Sequence, residues 1–276
     1  TLQRFLNGGV QVGNDVQVNT ASESYVAWNW YMETTGTGTS NTDGTINTTA
    51  TLVDTNIGLS ISTYTGTGGN ATVGHGLGVA PEMLFVKRTD ATSGWYMQNS
   101  NLLATQFMQL NALDAVAANA TVWNSTFPTS TVFNIGTNAV TNASSATYLA
   151  LCFAPSQFTS IGTYEGNANA NGTFVPTVNS LGIPIQPKFI LQRNVDGAFH
   201  WQMYDTSRSP TNVIDASLYA NSTSAEVSGN SANSLDIVTG GFKCRGTGDP
   251  NRSNTSIYLA FGTPIIDVDG RIITGR

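Results

Sequence analysis

Chemistry at neutral pH usually starts from histidine, cysteine or paired carboxylates, and this chain is sparing with all of them. It has two histidines, His75 and His200, and two cysteines, Cys152 and Cys244, in 276 residues. No Cys-x-x-Cys or His-x-x-x-His spacing accompanies them, so no zinc ligand set is spelled. No Gly-x-Ser-x-Gly elbow is present, and nothing groups a nucleophile with a histidine and an acid. The histidines read as polar loop residues. The cysteines read as buried apolar thiols; a disulfide between them would require their segments to lie close together. No catalytic residue, metal ligand or cofactor is expected.

Two further spacings imitate ligand motifs. Gly74-His75-Gly76-Leu77-Gly78 is rich in glycine but lacks the Lys-Ser or Lys-Thr pair of a phosphate loop. It reads as a backbone turn, where glycine tolerates positive φ. Asp267-Val268-Asp269-Gly270 opens like a calcium loop, yet the chain ends before a twelfth-position glutamate. It reads as a turn before Ile272-Ile273. Asp90 and Asp196 fall in hairpin turns, which favour aspartate. A glycosidase needs two carboxylates across one cleft, and the sequence spells no such pair. Tryptophan can stack on sugars. Trp28 and Trp30 alternate onto one face of an expected strand, but Leu151 and Phe153 take their places elsewhere in the chain, so both are expected in a core. Trp95 and Trp201 are expected as structural wedges. Trp123 has no counterpart and is the single candidate for ligand binding at the surface.

These assignments rest on an internal repeat. Ile61-Ser62-Thr63-Tyr64-Thr65-Gly66 recurs as Ile161-Gly162-Thr163-Tyr164-Glu165-Gly166. At an offset of 106, Pro81, Lys87, Asp90, Trp95 and Met97 match Pro187, Arg193, Asp196, Trp201 and Met203. The copies close alike, on Tyr148-Leu149-Ala150-Leu151-Cys152-Phe153 and Tyr258-Leu259-Ala260-Phe261. The chain opens with the closing part alone: at an offset of 123, Val10, Val12, Gly13, Asn19, Tyr25 and Ala27 match Phe133, Ile135, Gly136, Asn142, Tyr148 and Ala150. Self-similarity at a fixed period marks an array of like units. The half copy leads to the expectation that the natural chain extends upstream of Thr1.

The expected organisation follows. Residues 1–33 are the closing hairpin of an upstream copy, with Val10-Gln11-Val12 turning through Gly13-Asn14-Asp15 into a strand from Tyr25 to Trp30. This hairpin is expected to complete a sheet with later parts of the chain or with a neighbouring subunit, because a lone hairpin is marginal. Residues 34–57, rich in Gly, Thr, Ser and Asn, are expected as a linker. Copy one spans 58–156, copy two 157–264, and a tail 265–276. Within each copy, apolar runs at Met83–Val86 and Phe189–Leu191 are expected to pair with Trp95–Met97 and Trp201–Tyr204. The closing segments are expected as second hairpins. Asn101 to Asn119 is Leu- and Ala-rich, and is read as a strand near Phe107–Leu110 followed by a helical turn.

Composition agrees with a β surface. Only 10% of residues are charged, against about 25% typically. Thr suits strands while Asn and Gly suit turns. The net charge is −6 and there is no basic stripe, so nucleic acid is not an expected partner. No apolar run reaches the ~20 residues of a membrane helix, and no membrane insertion is expected. The fold class expected is all-β, tandem antiparallel sandwich-like domains preceded by a β-hairpin.

The run Leu59 to Gly68, followed by Thr72 to Arg88 with its Gly74–Gly78 loop and Pro81, resembles a domain of unknown function in tailed-phage virion proteins of marine and cyanobacterial phages. Asp205-Thr206-Ser207-Arg208-Ser209-Pro210 and Tyr258–Phe261 look like that family too, and the likeness spans about Val10 to Pro264. Copy two departs from it at Val178–Pro184, which lacks the Gly-His-Gly-Leu-Gly run. The resemblance implies a virion structural role: a tail fibre, head fibre or capsid decoration on an extracellular particle, with other virion proteins as partners and, by analogy with fibres, a homotrimer. It carries no catalytic residue. The alternative expectation is a lectin-like module that binds host glycan; an enzyme such as a depolymerase is not expected.

Overall fold

The computed structural model describes residues 2–6, 9–33 and 37–272; Ile273 of the expected tail strand lies outside the described residues. The chain is all-β, built of antiparallel sheets, in two compact units, Thr1–Met32 and Glu33–Arg276.

In the first unit β1 (Leu2–Leu6) pairs with β2 (Gly9–Val12), matching Leu6 to Gly9 and Phe5 to Val10. The helical turn α1 (Val16–Asn19) follows, capped by the Asp15 carboxylate, which accepts from Gln17 N at 3.0 Å. The expected hairpin is therefore corrected. Asp15 starts a capped turn of helix, β2 takes its partner from the preceding residues, and Tyr25–Trp30 joins no strand. The sheet β1–β2 has two strands only. The core expectation for Trp28 and Trp30 is corrected as well: Trp28 is half-buried and Trp30 is 45% exposed; their counterparts Leu151 and Phe153 lie on the face of the last copy-one strand opposite Tyr148, Ala150 and Cys152, outside the core between the sheets, and Leu151 too is half-buried.

Copy one contributes β3 (Ala50–Asp54), β4 (Leu59–Thr65), β5 (Ala71–Gly74), β6 (Met83–Arg88), β7 (Trp95–Asn99), β8 (Gln106–Gln109), β9 (Ala117–Ala118), α2 (Ala120–Trp123), β10 (Val132–Ile135), α3 (Ala139–Asn142) and β11 (Thr147–Phe153). The large sheet runs β3-β4-β11-β6-β7-β8-β9, and β5 pairs with β10 in a small second sheet. Between them lies a core of Tyr64, Leu84, Val86, Tyr148, Ala150 and Cys152 from one side and Val73, Phe133 and Ile135 from the other.

Copy two repeats the plan with β12 (Thr159–Glu165), β13 (Phe174–Pro176), β14 (Ile185–Asn194), β15 (Gln202–Asp205), β16 (Leu218–Tyr219), β17 (Leu235–Val238), β18 (Gly241–Cys244) and β19 (Thr255–Pro264). Its sheets run β12-β19-β14-β15-β16 and β13-β18-β17. The pairs β6–β7 and β14–β15 are the hairpins expected, and β8 falls where a strand near Phe107–Leu110 was expected, but an extended strap to β9 follows it in place of the expected helical turn.

Two expectations need correction. The segment 34–57 is more than a linker: β3 is the edge strand of the large sheet and Ile46 sits in the core. Its anchoring is by hydroxyls, with Thr48, Thr51 and Ser62 linked at 2.8 and 3.1 Å, and an apolar count overlooks such contacts. The closing segments are not hairpins either. Strand β10 pairs with β5 while β11 lies between β4 and β6, so the segment crosses from one sheet to the other.

Candidate functional site

The crossover between sheets is held by an asparagine and a tyrosine in both copies, joined in copy one by the Tyr148 hydroxyl; the equivalent Tyr258 hydroxyl donates instead to Pro176 O. Asn142 Nδ2 donates to Gly136 O at 2.9 Å and also to Gly69 O, while its Oδ1 accepts from Thr67 N at 2.7 Å. Asn251 does the same in copy two: Nδ2 donates to Gly246 O at 2.8 Å and Asn169 O at 2.7 Å, and Oδ1 accepts from Asn167 N at 3.1 Å. Tyr64 donates to Thr141 O and Tyr164 to Pro250 O, each at 2.7 Å. Glycine stands two residues after Tyr64 and Tyr164 because the chain crosses tightly there: a Cβ on Gly66 would collide with Ala143 O, and one on Gly166 with Arg252 O.

The first unit holds half of this clip. Asn19 Nδ2 donates to Gly13 O at 2.9 Å, as Asn142 does to Gly136 O. Tyr25 Oη accepts from Thr20 N and donates to Val16 O, as Tyr148 Oη accepts from Ala143 N and donates to Ala139 O. The repeat is thus carried down to single hydrogen bonds. In copy one Tyr148 stacks on Tyr64 with ring centroids 5.1 Å apart; residues 2–32 contain no tyrosine in the Tyr64 role, and Tyr25 is 51% exposed and Tyr31 83%.

The second built feature joins the copies. Arg193, fully buried, donates from Nη1 to Gln109 O at 3.2 Å and Ala112 O at 2.9 Å, and from Nη2 to Asp114 O. Trp201 Nε1 donates to the same Gln109 O at 2.8 Å, and Val116 N donates to Val195 O at 2.9 Å. Burial pulls the Arg193 guanidinium down to about 10, which leaves it charged at neutral pH. The strap after β8 therefore lies across the Arg193–Trp201 corner of copy two. The sequence marked both residues only as partners of Lys87 and Trp95; a cation and a tryptophan kept at one offset was the available signal.

The residues singled out by chemistry scatter. Trp123 is fully buried in copy one, which corrects its assignment to the surface. Asn119 caps α2 and Asn124 ends it at φ 51°, turning Val122 and Trp123 inward, and Trp123 has no repeat counterpart from which this could be read. His75 is buried: its Nδ1 accepts from Leu77 N at 3.2 Å and its Nε2 lies 3.1 Å from Thr129 O. This fixes a neutral imidazole protonated at Nε2. Burial lowers its pKa. The glycine loop is thereby a turn locked by His75, with Gly76 at φ +72°. His200 stacks on Tyr219 at 4.3 Å in the other copy. Cys152 and Cys244 are both free and buried. Asp267 Oδ1 accepts from Asp269 N and Arg271 N, both at 2.9 Å, and closes a turn. Among the described residues no group of three or more His, Cys, Asp or Glu side chains could hold a metal, and no helix is long and apolar enough to cross a membrane.

One pocket, of about 410 Å³, opens beside the copy junction. Pro81, Phe127, Pro128, Pro155 and Leu181 line it, with Glu82 and Ser180 as polar members. Glu82 Oε2 is buried without a hydrogen-bond partner, and desolvation raises the Glu82 pKa. No second carboxylate lines the pocket, so it lacks the acid–base pair a glycosidase uses.

What these contacts define is an all-β tandem-repeat protein whose polar side chains are spent on crossing points and on a junction between copies. The chain belongs to the family described as Domain of unknown function (DUF7483), whose profile matches residues 1–264. No curated protein and no solved structure matches it.

Proposed function

We propose that this chain is a structural protein of a tailed-phage virion, a tail fibre, head fibre or capsid decoration that acts in assembly and surface contact on the extracellular particle. The observation that carries the reading is the clip built on Asn142 and Asn251 and half-built on Asn19, which makes the chain a run of like units. The likeness of Leu59–Arg88 and Tyr258–Phe261 to a domain of phage virion proteins supplies the virion. A surface of Thr, Asn and Gly with 10% charged residues suits a scaffold. Other virion proteins are its partners, with self-association into a homo-oligomer, a trimer by analogy with fibres. Catalysis, nucleic acid and membrane insertion have no part in the reading.

Antibody against the purified chain, imaged on intact particles by immunogold electron microscopy, tests it. Labelling at one repeated position on the particle supports the reading. Absence of the chain's peptides from the mass spectrum of purified virions rejects it.

The second reading, a host-glycan-binding module, is favoured by the exposure of Tyr25, Trp30 and Tyr31, since exposed aromatic rings can stack on sugars. Trp123 no longer serves it. Glycan-array binding lost on Tyr31→Ala would support this alternative.

A further inference from the structure

We propose that the Lys87–Trp95 corner of copy one is a docking surface for a second copy of this chain, and that the strap following β16 is what docks there. The inference rests on the junction between copies and is independent of the virion reading.

The two corners are equivalent. Trp95 N and Trp201 N each donate to an asparagine of the following strap, Asn111 Oδ1 at 2.8 Å and Asn221 Oδ1 at 3.0 Å. Leu110 N donates to Trp95 O and Ala220 N to Trp201 O, both at 3.0 Å. Strand pairing matches Gln109 to Tyr96 and Tyr219 to Gln202. The carbonyls of Gln109, Ala112 and Asp114, which receive Arg193, therefore have counterparts in Tyr219, Ser222 and Ser224.

The corners differ in what covers them. The copy-two corner is closed by the strap of copy one, and Arg193 and Trp201 are fully buried. The copy-one corner receives no such hydrogen bonds among the described residues. Lys87 Nζ turns back to Ser93 O at 2.6 Å, and Lys87 and Trp95 stay half-buried, as do Leu149 and Ile61 beside them on the same face. The copy-two strap is the matching half: it begins at the junction, where Asn221 Nδ2 donates to Ala112 O at 3.4 Å, and runs out to exposed residues. Thr223, Ser224, Ala225 and Glu226 are exposed, and residues 215–227 carry Asp215 and Glu226 and no lysine or arginine. A cationic corner with a tryptophan is thus matched by a carbonyl-bearing strap without lysine or arginine, whose Glu226 pairs with Arg208 at 2.8 Å, and a cation with a tryptophan on such a strap is the combination already used inside the chain.

A contact of this kind is heterologous, head to tail: it closes into a ring if the rotation per copy permits and otherwise extends as a filament. Either outcome continues within one molecule's geometry across several molecules.

Sedimentation velocity of the purified 276-residue chain over a wide range of concentration tests the proposal. Wild type is expected to self-associate. Lys87→Glu with Trp95→Ala, and separately Ser224→Lys on the opposite face, are each expected to weaken association about tenfold or more, since truncated tryptophan and cationic anchors dominate such interfaces. Lys87→Arg, which copies the Arg193 corner, is expected to retain or strengthen it. Circular dichroism and melting of the variants identify any that misfold; a Lys87→Arg protein of unchanged fold keeps the test open in that event. A wild-type chain that stays monomeric throughout, or folded variants on both faces that associate like wild type, overturns the proposal.

Discussion

Arg193 lies over the ring of Trp201, its guanidinium carbon 5.6 Å from the ring centroid, and both side chains donate to the single carbonyl of Gln109. The pair converts a strap of bare carbonyls into the floor of the neighbouring copy. Arg193→Ala would remove a fully buried side chain and take this donor from the half-buried carbonyl of Ala112 and from that of the exposed Asp114. Water can take the donor's place at Asp114 O, so the cost comes from the lost packing of the buried side chain and the Ala112 bond, and about 2–4 kcal/mol is expected, read as a lower urea midpoint. Lys87→Ala, at the half-buried equivalent, is expected to cost less than about 1 kcal/mol. Equal losses at both positions would contradict the assignment of Arg193 to the junction.

The imidazole of His75 must be neutral to accept from Leu77 N. Its folded pKa is lowered below the ordinary 6.5, chiefly by burial, with Thr129 and Asp43 opposing more weakly. A depressed pKa means that the unfolded chain binds the proton first as pH falls. Stability from this group is therefore complete above pH 6.5 and declines as pH drops through the lowered value. His75→Asn keeps an acceptor near Leu77 N and cannot titrate. It should cost about 1 kcal/mol at pH 7.5, and the gap to wild type should narrow at acid pH. Urea midpoints at pH 7.5 and 5.0 measure both; a constant gap would refute the mechanism.

How far the sequence reached depends on which residues carried the signal. Strands β6, β7, β14 and β15 were legible because apolar runs, prolines and turn residues mark them, and the repeat marks the same hairpin twice. Asn142 and Tyr148 were legible as repeated residues, although their crossing of sheets was not, since a hairpin and a crossover begin with the same turn residues. β3 escaped because its anchors are the hydroxyls of Thr48 and Thr51. Trp123 escaped for want of a counterpart. Trp28 and Trp30 were misjudged because a position that accepts Trp, Leu or Phe was taken as core, whereas Leu151 and Phe153 lie on the face of β11 turned away from the second sheet, and Tyr25–Trp30 joins no strand.

Glu82 presents the opposite electrostatic case to His75. Desolvation raises its pKa above the ordinary 4.5, partly offset by a hydrogen bond to Ser180. A raised carboxyl pKa means that the folded state holds the proton more tightly, so stability from this group is greatest below pH 4.5 and is lost as pH rises through the raised value. Glu82→Gln should then stabilise the chain at pH 7.5 by up to about 1 kcal/mol, the residual exposure of the carboxylate limiting the gain. A thermal melt at pH 7.5 is the measurement, and a lower melting temperature for the variant would count against it.

Both cysteines should be chemically quiet. Burial pushes the Cys152 thiol far up and the Cys244 thiol up to about 12, and Cys244 Sγ donates to Pro250 O at 3.1 Å. Thiolate is the reactive form. Native protein at pH 8 is expected to react with a thiol reagent slowly, at the rate of opening, and to release both thiols promptly in denaturant. Fast labelling of the native chain would contradict the buried placement.

The clip offers the most discriminating comparison, because one chemistry is built in both copies. Asn142 and Asn251 each hold the crossing from the second sheet back to the first, and each is fully buried. Alanine at either leaves two carbonyls and a backbone amide without partners and opens a small void, for an expected cost of about 2–4 kcal/mol. The two losses should be similar in size although the residues lie in different copies. Asn19 makes the same bond to Gly13 O in an exposed unit where water can replace it, so Asn19→Ala is expected to leave the main unfolding transition within about 0.5 kcal/mol of wild type. Urea unfolding followed by tryptophan fluorescence separates these cases. A large loss for Asn142→Ala beside none for Asn251→Ala would mean that the copies, alike in structure, do not share the interaction that holds them.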